Sequence, residues 1–265
     1  MPKMPKWIVV LTRAFIVFIC VALMGCGRLL SAESNSGLES PLPSDVFDGG
    51  DNAVGDADVV RDDAAAPYVF IPTLTTPLFT DDFTRSDGPD IGNGWIERVP
   101  SSFALVGSAA ECLTEGATDQ LVRRSETFTD LEIGARFSYG SSIIDEPSLY
   151  LRLQADPPAL GFIGYRAYLI ATRMTIENRT SSGSGALAKV GILPSLVVGR
   201  TYRFYFRIAG KDPVVLEAGL FNENGVSLAS VRAVDPYPTR IVAAGWAAFG
   251  SRVVSTRWEH VELYP

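Results

Sequence analysis

Strict alternation of apolar and polar residues recurs through the C-terminal part of this chain, and it leaves few folds open. Leu131, Ile133, Ala135 and Phe137 alternate with Glu132, Gly134, Arg136 and Ser138. Leu149, Leu151 and Leu153 alternate with Tyr150, Arg152 and Gln154, and Tyr202, Phe204, Phe206 and Ile208 with Arg203, Tyr205 and Arg207. A period of two is the signature of a strand with one buried face. Further strand-like runs lie at residues 103–106, 121–124, 165–172, 174–178, 214–221, 227–231, 243–249 and 253–264. Breakers separate them at Asp156-Pro157-Pro158, Ser181 to Gly185, Asn222 to Gly225 and Asp235 to Pro238. Many short strands with no helical period predict an antiparallel β-sandwich or barrel. Asn224-Gly225, between two such runs, predicts a hairpin with a primed turn.

The segment Phe79 to Trp95 opens this region. Phe79 and Phe83 flank Asp81 and Asp82, and the glycine-rich stretch Ser86 to Gly94 is turn chemistry. Trp95 leaves that turn and is expected to plug a core, because its ring buries about 150–250 Å². The pattern Phe79-Thr80-Asp81-Asp82-Phe83-Thr84-Arg85-Ser86-Asp87-Gly88, followed by Gly92-Asn93-Gly94-Trp95, resembles the first strand of laminin-G-like, concanavalin A-like jelly rolls of bacterial surface proteins. Trp258 to Tyr264 looks like the closing strand of that family, with Glu259 where an Asp often stands. The resemblance implies an all-β, concanavalin A-like antiparallel β-sandwich (jelly roll) over residues 78–265. It also implies a structural calcium between the terminal strands, for which Asp81, Asp82 and Glu259 are the candidate ligands, as hard oxygen donors.

Ahead of this domain the chain reads as export signal and tether. Lys3, Lys6 and Arg13 precede the apolar run Ala14 to Met24, which is a signal peptide pattern rather than a membrane span. Leu23-Met24-Gly25-Cys26 resembles the bacterial lipoprotein box. This implies cleavage after residue 25, lipidation of Cys26, and acyl chains sufficient for stable anchoring. An ordinary signal with an incidental cysteine, or an uncleaved anchor, are the alternatives. Gly27 after the cysteine is similar to outer-membrane sorting signals. Residues 26–77 are expected to be a disordered acidic tether: residues 33–66 carry nine carboxylates against Arg61, with sparse apolar residues. Of three cysteines, Cys20 leaves with the signal and Cys26 takes lipid. Cys112 then has no partner for an intramolecular disulfide and is expected as a small buried hydrophobe. The net charge of −7 argues against nucleic acid as a partner. A monomer held at the membrane by its lipid is expected.

Catalysis is not expected. Hydrolases of the same fold carry Glu-x-Asp-x-x-Glu on one strand, but here Glu132 is followed by Gly134 and Phe137, and Glu132 reads as a solvated outward residue. The single histidine, His260, has no nucleophile elbow to serve, and no metal-binding Cys/His cluster can form around it. Binding of a glycan is the expected function, by aromatic faces and a few polar groups on one sheet. If Leu149 to Leu153 point inward, Tyr150, Arg152 and Gln154 point out, as do Arg203, Tyr205 and Arg207, with Tyr168 in phase. These seven are the candidate ligand residues, and if they share one sheet face their arginines suit an acidic or sulfated glycan. A structural or protein-binding surface module, and a divergent glycoside hydrolase, are the alternatives.

Overall fold

A computed structural model describes residues 67–113, 120–141, 145–154, 162–170, 172–181, 183–236, 238, 240–252, 254 and 256–265. The predicted signal peptide, Cys26 and the tether up to residue 66 lie outside the described residues. The strands, in chain order, are β1 (Phe79–Asp81), β2 (Ile96–Glu97), β3 (Phe103–Leu105), β4 (Ala110–Cys112), β5 (Gln120–Phe128), β6 (Leu131–Tyr139) and β7 (Ser148–Leu153). They continue as β8 (Gly164–Ile170), β9 (Arg173–Thr180), β10 (Gly183–Gly191), β11 (Thr201–Ala209), β12 (Val214–Asn222), β13 (Ser227–Asp235), β14 (Gly245–Ser251) and β15 (Thr256–Tyr264). No helix occurs among the described residues.

The strands form two antiparallel sheets. The first has eight strands in the order β13-β12-β11-β6-β15-β4-β3, with β1 pairing β15. The second has seven, in the order β10-β9-β8-β7-β14-β5-β2. The apolar residues of the alternating runs meet between the sheets: Ile133, Phe137, Phe204 and Phe206 from one, Leu149, Leu151, Ile176 and Phe249 from the other. The chain is therefore the two-layer sandwich that period-two patterning requires. Trp95 is buried against Phe79 and Phe249, and its indole N–H donates to Asp81 at 2.8 Å. Cys112 is buried, as expected.

Three local expectations differ from the structure. Residues 221–226 do form a hairpin between β12 and β13, but within its turn only Gly225 has a positive φ. The type I′ turn that suits Asn-Gly needs two such residues. Instead the Asn222 side chain accepts hydrogen bonds from the amides of Asn224 and Val226, and Gly225 N–H donates to Asn222 O. Second, β10 falls where Ser181 to Gly185 reads as a breaker; it is an edge strand whose exposed, Gly- and Ser-rich N-terminal half gives no alternation to read.

Third, β7 carries a bulge. Leu153 pairs with Trp246 and Tyr150 with Ala248, so three steps of β7 oppose two of β14. Arg152 sits at the extra position with φ 49°. Strand parity fails there. Leu153 turns out to join Tyr150, Leu121, Phe162 and Ala248 in a second, smaller cluster, while Arg152, expected outside, is buried. Its guanidinium donates to the carbonyls of Thr129 (2.6 Å), Ile241 (2.7 Å) and Gly210 (2.6 Å), and to Asp130 at 3.1 Å. Burial pushes its pKa below the usual arginine value, opposed by Asp130. Arg152 ties three loops together at one end of the sandwich.

Candidate functional site

The outer face of the eight-stranded sheet is organised in rungs, each crossing β12, β11, β6 and β15. The first runs Glu217, Arg207, Glu132, Tyr264; the second Gly219, Tyr205, Gly134, Glu262; the third Phe221, Arg203, Arg136, His260.

The first rung is covered. Residues 67–77, expected as the end of a disordered tether, lie on the sheet as an extended strap. Thr73 donates through its amide (3.0 Å) and hydroxyl (2.8 Å) to Glu132, and Arg207 donates to Glu132 at 2.8 Å and to Ile71 O at 2.8 Å. Glu132, expected as solvated, is 1% exposed beneath this strap. Arg207 also bridges to Glu217 at 3.1 Å, so the candidate ligand residue Arg207 serves to hold the strap.

The second rung depends on two glycines. A Cβ on Gly219 would stand 2.5 Å from the Phe70 ring, and one on Gly134 would stand 2.7 Å from the Tyr205 ring. Lacking that atom, each glycine lets an aromatic ring lie flat across the sheet. Phe70, 1% exposed, stacks on Tyr205 with centroids 5.9 Å apart at 25°. Burial raises the Tyr205 phenol pKa.

The third rung is open. A depression of about 200 Å³ lies over Gly134, bounded by Tyr205, Arg203, Arg136, His260 and Glu262. A second, of about 440 Å³, adjoins it across Arg136 and reaches Ser138, Arg257 and Glu259. β15 bulges at Glu259, which lets both Glu259 and His260 approach Arg136. Glu259 pairs with Arg136 at 3.2 Å and accepts from Ser138 at 2.9 Å. His260 Nε2 lies 2.9 Å from Glu262 Oε1, and Tyr264 donates to Glu262 at 2.5 Å. The His260 bond, aided by Tyr264, holds the Glu262 carboxyl below the usual glutamate range.

The seven candidate ligand residues do not share a face. Arg203, Tyr205 and Arg207 lie on β11 of the first sheet, whereas Tyr150, Arg152 and Tyr168 lie on β7 and β8 of the second, with Gln154 just beyond β7. Tyr150 is buried against Phe162, and Arg152 is inside. Gln154 bonds Arg152 O at 3.0 Å, and Tyr168 is half-buried under the Arg166 guanidinium at 4.3 Å. Parity marked Arg136 as outward, but it was not among the candidates; nor were His260 and Glu262, which share one face of β15 two residues apart, while the β15 bulge brings Glu259 to Arg136.

The candidate calcium ligands are not brought together. Asp81 accepts from Phe83 N, both Arg85 terminal nitrogens and Trp95 Nε1, which occupies both of its oxygens. Burial pushes its pKa up, but these donors outweigh that and hold it down. Asp82 is exposed and accepts from Thr84. Glu259 faces Arg136. Among the described residues no three Asp, Glu, His or Cys side chains form a metal cluster.

No protein-family profile and no curated protein sequence matches the chain. Solved structures do. A Bacillus subtilis protein with a galectin-like fold is 13% identical, with TM-score 0.52, over 72% of this chain and 96% of that one. The carbohydrate binding module CBM66 of Bacillus subtilis is 14% identical, with TM-score 0.49, over 65% of this chain and 96% of that one. The β-glucanase of Bacillus licheniformis is 7% identical, with TM-score 0.49, over 72% and 99%. At such identities a likeness concerns fold alone. With its two antiparallel sheets and their order, this domain is a β-sandwich of the concanavalin A-like, galectin-like kind.

Proposed function

We propose that this chain is a cell-envelope lipoprotein whose sandwich binds a glycan without cleaving it, in the depression over Gly134. The observation that carries the reading is Tyr205 laid across Gly134 beside two fixed polar pairs, Arg136 with Glu259 and His260 with Glu262. A sugar presents C–H edges that suit an aromatic face and hydroxyls that suit preoriented donors and acceptors. Binding rather than hydrolysis is favoured because a glycosidase needs one protonated carboxyl. Here the His260 bond lowers the Glu262 pKa, opposite to the shift that a general acid needs. A protein-binding module is the second reading, favoured by the exposed Val69, Ile71 and Leu74 on the strap.

A glycan array on residues 67–265 tests the first reading. Tyr205→Ala is expected to weaken binding of any hit at least tenfold, about 1.4 kcal/mol, with the far-ultraviolet spectrum unchanged. Hits that survive the substitution would move the site elsewhere, and an array without hits would favour the protein-binding reading. The anchor rests on the sequence around Cys26. Cys26→Ser is expected to abolish incorporation of labelled acyl chains and release the protein from membranes. A variant that still sediments with membranes would mean that the apolar segment is itself the anchor.

A further inference from the structure

We infer that the glycan held over Gly134 carries an acidic group, a carboxylate or a sulfate, and that Arg203 is the residue that receives it. This rests on the glycan reading of the same depression and names its ligand class.

Arg203 on β11 and Arg136 on β6 are direct cross-strand partners on one sheet face, and His260 on β15 is the next partner of Arg136. Opposed side chains in such a pair have Cβ atoms about 4.5–5.5 Å apart, and like charges placed so destabilise a sheet. On this face a salt bridge relieves it for Arg136, Arg207 and Arg257, and none does so for Arg203. Arg136 has Glu259 at 3.2 Å, brought in by the β15 bulge. In the rung beneath, Arg207 has Glu132 and Glu217. Toward the far end of the groove, Arg257 has Glu111 at 3.2 Å. Arg203 is exposed and has no salt bridge to a carboxylate among the described residues.

The nearest acidic group, Glu262, is taken by His260 and Tyr264. Arg203 therefore brings to the rim of the depression a cation that touches the Tyr205 hydroxyl and feels Glu262 only at a distance, without a salt-bridge partner of its own. A guanidinium presents a planar fork that matches a carboxylate or sulfate two bonds at a time. A sugar ring over Gly134 places an acidic substituent within reach of that fork, with the ring face on Tyr205. The occupant then supplies the direct anionic partner that Arg203 lacks.

Titration calorimetry with four probes tests this on residues 67–265. The carboxylate arm compares trigalacturonate with its methyl ester, which is neutral and nearly isosteric. The sulfate arm compares carrageenan-derived oligosaccharides with the desulfated galactan. In at least one arm the acidic member is expected to bind tenfold or more tighter than its neutral partner, and the arm that responds identifies the anion. Arg203→Gln should collapse that preference to within about twofold, whereas Arg173→Gln, an exposed change on the other sheet, should leave it intact. Raising the salt concentration should narrow the preference in the parent protein and not in Arg203→Gln. Equal binding of acidic and neutral members, or a preference that survives Arg203→Gln, overturns the acidic inference while leaving the glycan reading standing. Failure of all four probes together with an array without hits overturns both.

Discussion

Arg152→Ala is expected to lower the unfolding free energy of residues 67–265 by about 3–5 kcal/mol. The guanidinium, fully buried, is the partner of three main-chain carbonyls in three separate loops. Each partly buried carbonyl left without a donor costs about 1–3 kcal/mol, less whatever water recovers at the sandwich end. The loss of the Asp130 pair adds little, because that carboxylate is more than half exposed. Arg152→Lys should recover less than half of the loss, since one ammonium cannot reach three diverging carbonyls with a fork's geometry. The backbone gives an internal control. Arg152 holds φ at 49°, where a Cβ is strained and glycine is not. Arg152→Gly should therefore be less damaging than Arg152→Ala by up to about 1 kcal/mol. Urea denaturation followed by tryptophan fluorescence measures all three. An Ala variant within 1 kcal/mol of the parent would mean that these hydrogen bonds contribute nothing net.

Removing the strap is the second large perturbation. A fragment beginning at residue 78 is expected to be less stable than one beginning at residue 67 by about 3–4 kcal/mol. Burial of the Phe70 side chain accounts for about 2–3 kcal/mol. The charge-assisted bonds from Thr73 to Glu132 supply most of the rest, discounted because Glu132 regains water when the strap leaves. For a domain of this size the melting temperature should fall by roughly 8–15 °C. Phe70→Ala alone should reproduce more than half of the shift. Equal melting temperatures for the two fragments would return residues 67–77 to the tether.

Both predictions concern features that one-dimensional reading misplaced, for an identifiable reason. Alternation located the strands well wherever a strand has one wetter and one dry face, as in β11. It failed on β7, whose two faces are both covered, because a bulge shifts parity by one and no local signal marks the shift. Phe70 stands in a short apolar run, Val69 to Ile71, among prolines and threonines. Its burial depends on Gly219, a residue far along the chain that becomes its neighbour only when β12 joins the sheet. Glu132 is polar at an outward position and would be solvated in any sheet without a strap. Arg203 and Tyr205 were legible as outward residues, but their association with Tyr150 assumed a common sheet.

Residue pattern was enough to read this region as all-β, a sandwich or barrel, and to place Trp95 and Cys112 in its core. These follow from side-chain period and from hydrophobic burial, which are local. Tertiary structure alone decided which strands neighbour which, and hence which outward residues form a surface. Strand pairing is a choice among distant segments of similar apolar pattern. Here it set Arg203 against Arg136 and Tyr205 against Gly134, and put Tyr150 on the opposite side of the core.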